Sequence, residues 1–134
     1  MLEDETTTVG QLKARVRGFS VERDWEQFHT PKNLGVALVC EVGELLEHFR
    51  YRTDAEVSAS LADPTTQRAV ADELADCLWL ILRLADVTEI DLASSLEAKL
   101  ADAARKYPID RAFGRSDKYT AYVDPPERGR GDSA

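Results

Sequence analysis

An all-α fold, most simply a bundle of about four helices, is what this sequence predicts. Apolar residues recur three and four apart along four stretches, the signature of amphipathic helices. Two of those stretches open on a capping residue followed by proline, Thr30-Pro31 and Asp63-Pro64, a strong helix-start signal. No strand pair, glycine-rich phosphate loop or internal repeat is visible. The length of 134 residues favours one domain with a modest core.

Thr8 caps the first helix, in which Val9, Leu12, Val16 and Phe19 follow at helical spacing. This segment is expected to continue into E-R-D-W-E-Q-F-H and to break at His29-Thr30-Pro31. The second helix is predicted from about Pro31 to about Tyr51, with Leu34, Leu38, Leu45 and Phe49 along its apolar stripe. Residues 52–63 are polar and weakly patterned, and a loop with a short turn is expected there. The third helix is predicted from about Pro64 to about Ala85. The fourth, capped by Asp91, is expected from about Leu92 to Lys106, with Pro108 ending it. Residues 1–120 are expected to form the single domain. The tail at 121–134, rich in Pro, Gly and charge, is expected to be disordered. The R-G-D-S string at Arg130–Ser133 is read as part of that tail.

The charge balance narrows the function. A net charge of −8 argues against binding a nucleic acid polymer or a membrane surface, which would need a basic patch. No apolar run approaches the roughly 20 residues that span a bilayer. The start, M-L-E-D-E-T-T-T, lacks the basic and apolar parts of a signal peptide, so a cytoplasmic location is expected. Cys40 and Cys77 are too few for a disulfide scaffold and are expected to be reduced core residues.

Four acidic residues carry the chemistry. Glu41 and Glu44 stand in C-E-V-G-E-L-L-E, and Glu73 and Asp76 in D-E-L-A-D-C-L-W. Each pair is spaced i, i+3, which puts both carboxylates on one helix face, with Cβ atoms roughly 5–6 Å apart. A single such pair is ordinary on a solvated helix. Two pairs, each bordering an apolar stripe on helices able to pack together, call for a cation. Hard oxygen donors suit Mg²⁺, with Mn²⁺ as a substitute. Such a centre fits hydrolysis of a phosphoanhydride.

The order E-R-D-W-E-Q-F-H-T-P-K-N-L, E-V-G-E-L-L-E-H-F, E-L-A-D-C-L-W-L-I-L-R-L-A-D, R-K-Y-P and D-K-Y-T resembles the MazG-like all-α nucleoside triphosphate pyrophosphohydrolases. The similarity is greatest to the dCTP pyrophosphatase type and covers about residues 9–120. It implies cleavage of a nucleoside triphosphate, dCTP or a modified pyrimidine deoxynucleotide, to monophosphate and pyrophosphate. It also implies a house-cleaning role, clearing unwanted or modified nucleotides from the pool, and assembly as a homodimer or homotetramer. The family's metal ligands, which are also its catalytic residues, fall on Glu41, Glu44, Glu73 and Asp76.

Further substrate contacts are expected around them. Trp25 and Tyr51 occupy positions where the family sandwiches the base, although Tyr51 stands where relatives often have Trp. His29 is a candidate contact at the turn. Lys32 and Asn33 open the second helix, where free N–H groups favour anions. Lys99, Lys106 and Lys118 are candidate phosphate partners. Leu80 and Ala103 stand where relatives often carry Tyr and Asn, which bears on the preferred base. The alternative function is a non-catalytic helical regulator that binds metal or nucleotide. A di-iron carboxylate protein would need a pair of Glu-x-x-His motifs, and the chain has one, Glu26 to His29.

Overall fold

The computed structural model describes residues 1–122, and among them every regular element is a helix. Residues 123–134 of the expected tail, with the R-G-D-S string, lie outside the described residues. The chain divides into two compact units, Met1–Ala93 and the part from Ser94 onward.

In the first unit α1 spans Val9–Val21. Thr8 and Gln11 form a reciprocal cap, the Thr8 hydroxyl accepting the Gln11 N–H at 3.2 Å and the Gln11 side chain accepting the Thr8 N–H at 2.7 Å. The helix stops four residues short of Trp25 instead of running through it. Glu22, Arg23 and Asp24 offer no apolar side chain to hold another turn on the core. Asp24 adopts a left-handed φ of 53°, and the Trp25 N–H turns back to the Ser20 carbonyl at 3.0 Å. A single 3-10 turn, Glu26–Phe28, follows.

Helix α2 spans Pro31–Glu47, capped by the Thr30 hydroxyl on the Asn33 N–H at 3.2 Å. It ends four residues before the expected Tyr51. The His48 and Phe49 N–H groups bond three residues back, to Leu45 and Leu46, which tightens the last turn. Tyr51 then leaves with a left-handed φ of 58°.

The expected loop at 52–63 is instead mostly a helix, α3, Asp54–Leu61. Its weak apolar pattern hides a strong cap. The Thr53 hydroxyl accepts the Glu56 N–H at 3.3 Å, and the Glu56 carboxylate accepts the Thr53 N–H at 2.7 Å. Helix α4, Pro64–Val87, is capped by Asp63 on the Thr66 N–H at 2.9 Å and runs two residues beyond expectation. It is the axis of this unit: α1, α2 and α3 all pack on it. Its Val70, Cys77, Leu82 and Ala85, with Leu34 of α2, are the buried apolar residues. Cys77 therefore lies where expected, whereas Cys40 is exposed.

In the second unit α5 begins at the boundary and spans Leu92–Lys106, matching the predicted limits. A short α6, Ile109–Ala112, follows Pro108, and a 3-10 turn closes at Tyr119–Ala121. Tyr107 meets Tyr119 and Tyr122 edge to face at 5.7 and 6.1 Å. No helix among the described residues is long and apolar enough to cross a membrane.

Candidate metal centre and ligand pocket

Glu41 on α2 and Glu73 and Asp76 on α4 bring carboxylate oxygens within 4.8 Å of one another. The i, i+3 spacing on α4 turns Glu73 and Asp76 to one side, and the packing of α2 on α4 delivers Glu41 to them. All three are half-buried. Burial pushes the Glu41 carboxyl above its ordinary range, and the charges of Glu44, Asp76 and Glu73 push it the same way. The Cys77 thiol is likewise raised, first by burial and then by Glu41, Asp76 and Glu73. Like charges forced together in this way are relieved by a cation, and an all-oxygen donor set suits Mg²⁺ or Mn²⁺. Glu44, one turn from Glu41, is exposed and lies outside the group of three.

Beside these carboxylates is a cavity of about 140 Å³ lined by Trp25, His29, Ala37, Glu41, Asp76, Trp79 and Leu80. Ligand pockets commonly run to roughly 300–1,000 Å³, so this one suits a ring or a single group and not a whole nucleotide. The turn after α1 is what delivers Trp25 and His29 to it. The Asn33 side chain donates to the Phe28 carbonyl at 2.9 Å and ties that turn to the start of α2.

Trp79 was not anticipated as a site residue. It follows Asp76 by three positions on α4, and Phe19 meets it edge to face at 5.2 Å. Phe19 also meets Trp25 at 5.9 Å, and Trp25 meets His29 at 6.2 Å. Arg83 was missed as well. Only 3 % exposed, it donates from Nε to His29 Nδ1 at 3.1 Å and from Nη1 to Asp86 at 2.7 Å. Its Nη2 reaches Glu26 at 3.4 Å. Arg17 of α1 grips the same Asp86 carboxylate through Nε at 2.9 Å and through Nη2. A lone cation inside the apolar run L-W-L-I-L-R-L-A was the sequence signal for Arg83, since arginine is almost never buried unpaired.

The other expected contacts are all exposed. Lys32 and Asn33 are exposed at the start of α2 and do not line the cavity. Tyr51 is 97 % exposed, with the Arg50 guanidinium over its ring at 5.5 Å. Lys99, Lys106 and Lys118 belong to the second unit, where Lys106 pairs with Asp102 at 3.1 Å.

A helical fold in which carboxylates from two packed helices converge beside an aromatic cavity defines a class of acidic, metal-ready all-α proteins. The MazG-like family model matches residues 36–121, and the chain belongs to the MazG-like family. It is 43% identical over 102 residues to dCTP pyrophosphatase 1 of Homo sapiens and 41% identical to that of Rattus norvegicus. Each match covers 76% of this chain, which spans 60% of the length of those relatives. The crystal structure of a pyrophosphatase from Archaeoglobus fulgidus superposes with a TM-score of 0.71 at 35% identity. That match covers 81% of this chain and 99% of the other.

Proposed function

We propose that this protein is a nucleoside triphosphate pyrophosphohydrolase that converts dCTP, or a modified pyrimidine deoxynucleotide, to monophosphate and pyrophosphate. The observation that carries the reading is the placing of Glu41 and Asp76, two of three convergent carboxylates, in one cavity with Trp25, Trp79 and His29. Carboxylates there serve the polyphosphate through a cation, and the aromatic rings serve the base. The relatives from Homo sapiens and Rattus norvegicus, each a dCTP pyrophosphatase 1, support the same substrate.

Glu41, Glu73 and Asp76, with Glu44 as a fourth ligand, would hold Mg²⁺, or Mn²⁺ in its place. The ion, when bound, neutralises phosphate charge and polarises the phosphoryl group. The protein's part is to hold these acids in register on α2 and α4 and to keep the base in an apolar, aromatic slot. Trp25 and Trp79 give faces on which a base stacks, and His29 gives a hydrogen-bonding edge. Lys32, Asn33, Tyr51, Lys99, Lys106 and Lys118 are proposed as further substrate contacts, to be tested singly by alanine substitution. Large apolar side chains left exposed on α2 (Val39, Val42 and Leu46) and on α4 (Leu74 and Leu78) support a homodimer or homotetramer, in which they would be covered. A cytoplasmic nucleotide-pool role completes the proposal.

The test is incubation with canonical and modified nucleoside triphosphates, with and without Mg²⁺, and separation of products by anion exchange. The expected result is monophosphate plus pyrophosphate, only with the metal, and its loss in Glu41→Gln and Asp76→Asn. Diphosphate plus phosphate would mean that a different bond is cut. Saturable binding without turnover would make the chain a regulator.

A further inference from the structure

We propose that Arg83 is a positioning residue that fixes the tautomer of His29, so that the pocket presents a hydrogen-bond donor to the base. The identity of the occupant rests on the nucleotide-hydrolase reading. The arrangement of the two side chains does not.

A neutral imidazole has one N–H and one bare nitrogen, and which is which follows from the partner of either. Arg83 has only donors, and its Nε lies 3.1 Å from His29 Nδ1. Nδ1 must therefore be the bare nitrogen, and the ring proton sits on Nε2. Arg83 is held for this task. Its Nη1 is anchored on Asp86 at 2.7 Å, and Asp86 is itself held by Arg17 from α1. A guanidinium with a planar fork of donors can serve Asp86 and His29 together, which the point charge of a lysine cannot.

His29 lines the cavity beside Trp25 and Asp76. With Nδ1 occupied, Nε2–H is the only polar group the ring has left for an occupant. It can donate and cannot accept. The matching feature is an acceptor on the ring edge, such as the carbonyl oxygen or bare ring nitrogen of cytosine. A base presenting an N–H there would set donor against donor and be rejected. Arg83 lies seven residues beyond Asp76 on α4, so the helix that supplies two of the carboxylates also sets the polarity of base recognition.

The first measurement is the long-range ¹⁵N–¹H spectrum of the two histidines, with His48→Gln used for assignment. The wild-type protein is expected to show His29 protonated on Nε2. A proton on Nδ1 would overturn the proposal without any further variant. Arg83→Met, which keeps side-chain length and removes the donors, is expected to yield a tautomer mixture. An unchanged His29 in folded Arg83→Met would also overturn it. If Arg83→Met fails to fold, Arg83→Lys keeps the charge on Asp86 and is expected to lose the His29 bond in the same way.

Kinetics then test the consequence. In the variant, KM for dCTP is expected to rise about tenfold, the worth of one misdirected hydrogen bond, while kcat falls far less. For 2-deoxyribose 5-triphosphate, which has no base, wild type and variant are expected to share one KM. An equal loss on both substrates would make Arg83 merely structural and sink the proposal, as would an unchanged KM for dCTP. Failure of the wild type to hydrolyse dCTP would instead refute the proposed reaction, leaving the spectrum to decide on Arg83 and His29.

Discussion

Asp86→Asn is expected to destabilise the protein by about 3 kcal/mol near neutral pH, the lower end of what breaking a buried ion pair costs. The magnitude follows from which partner can recover. The Asp86 side chain is 6% exposed and joins two arginines of different exposure, Arg17 at 54% and Arg83 at 3%. Arg17 loses its partner but keeps its water. Arg83 is left as a buried cation whose nearest remaining acid is Glu26 at 3.4 Å, and this weaker contact holds the cost at the lower end of the range. Asparagine preserves the shape of the side chain and one acceptor oxygen, so the loss is of charge and not of packing. The hydrogen bonds from Arg17 hold the Asp86 carboxyl below its ordinary range, and the charges of both arginines act the same way against burial. A depressed folded-state value gives stability that is complete above the ordinary carboxylate pKa of about 3.9 and lost as pH falls through the lower, folded value. The gap between wild type and variant should thus be full near neutrality and close in acid. Urea unfolding across that range measures it. A gap below about 1 kcal/mol near neutral pH, the scale of an exposed pair, would refute the account, as would a gap that persists undiminished in acid.

Millimolar Mg²⁺ is expected to raise the melting temperature, by the equivalent of about 2.7 kcal/mol if the ion is at 100 times its Kd. Glu73→Gln should remove most of that rise, and differential scanning fluorimetry with a Mg²⁺ titration reads both. Glu41 is raised in the folded state, so without metal its ionisation costs stability as pH climbs through the carboxylate range. Glu41→Gln is accordingly expected to be at least as stable as wild type in EDTA near neutral pH; a less stable variant there would contradict the crowding of like charge. Thr30→Ala removes the acceptor for the Asn33 N–H and should cost about 1 kcal/mol in chemical denaturation, with Thr30→Ser restoring most of it.

The sequence by itself determined the helical class, the limits of α5, the starts of α1, α2 and α4, and the i, i+3 pairing of the acids. These are local matters, set by capping side chains, proline and apolar spacing within a few residues. Helix α3 was legible in the same terms, in Thr53 and Glu56, but its thin apolar pattern concealed it. The ends of α1 and α2 were not legible, because Asp24 and Tyr51 take left-handed backbone values that no spacing announces. Tertiary structure alone decided that Glu41 meets Glu73 and Asp76, since the packing of α2 on α4 brings them together, with Glu44 lying outside that group of three. It also decided that Trp79 and not Tyr51 lines the cavity. Arg83 shows the reason most plainly. In the sequence it is one cation in an apolar run, and only packing brings Arg17, Asp86, Glu26 and His29 around it, because the energy of a buried charge depends on every group that surrounds it.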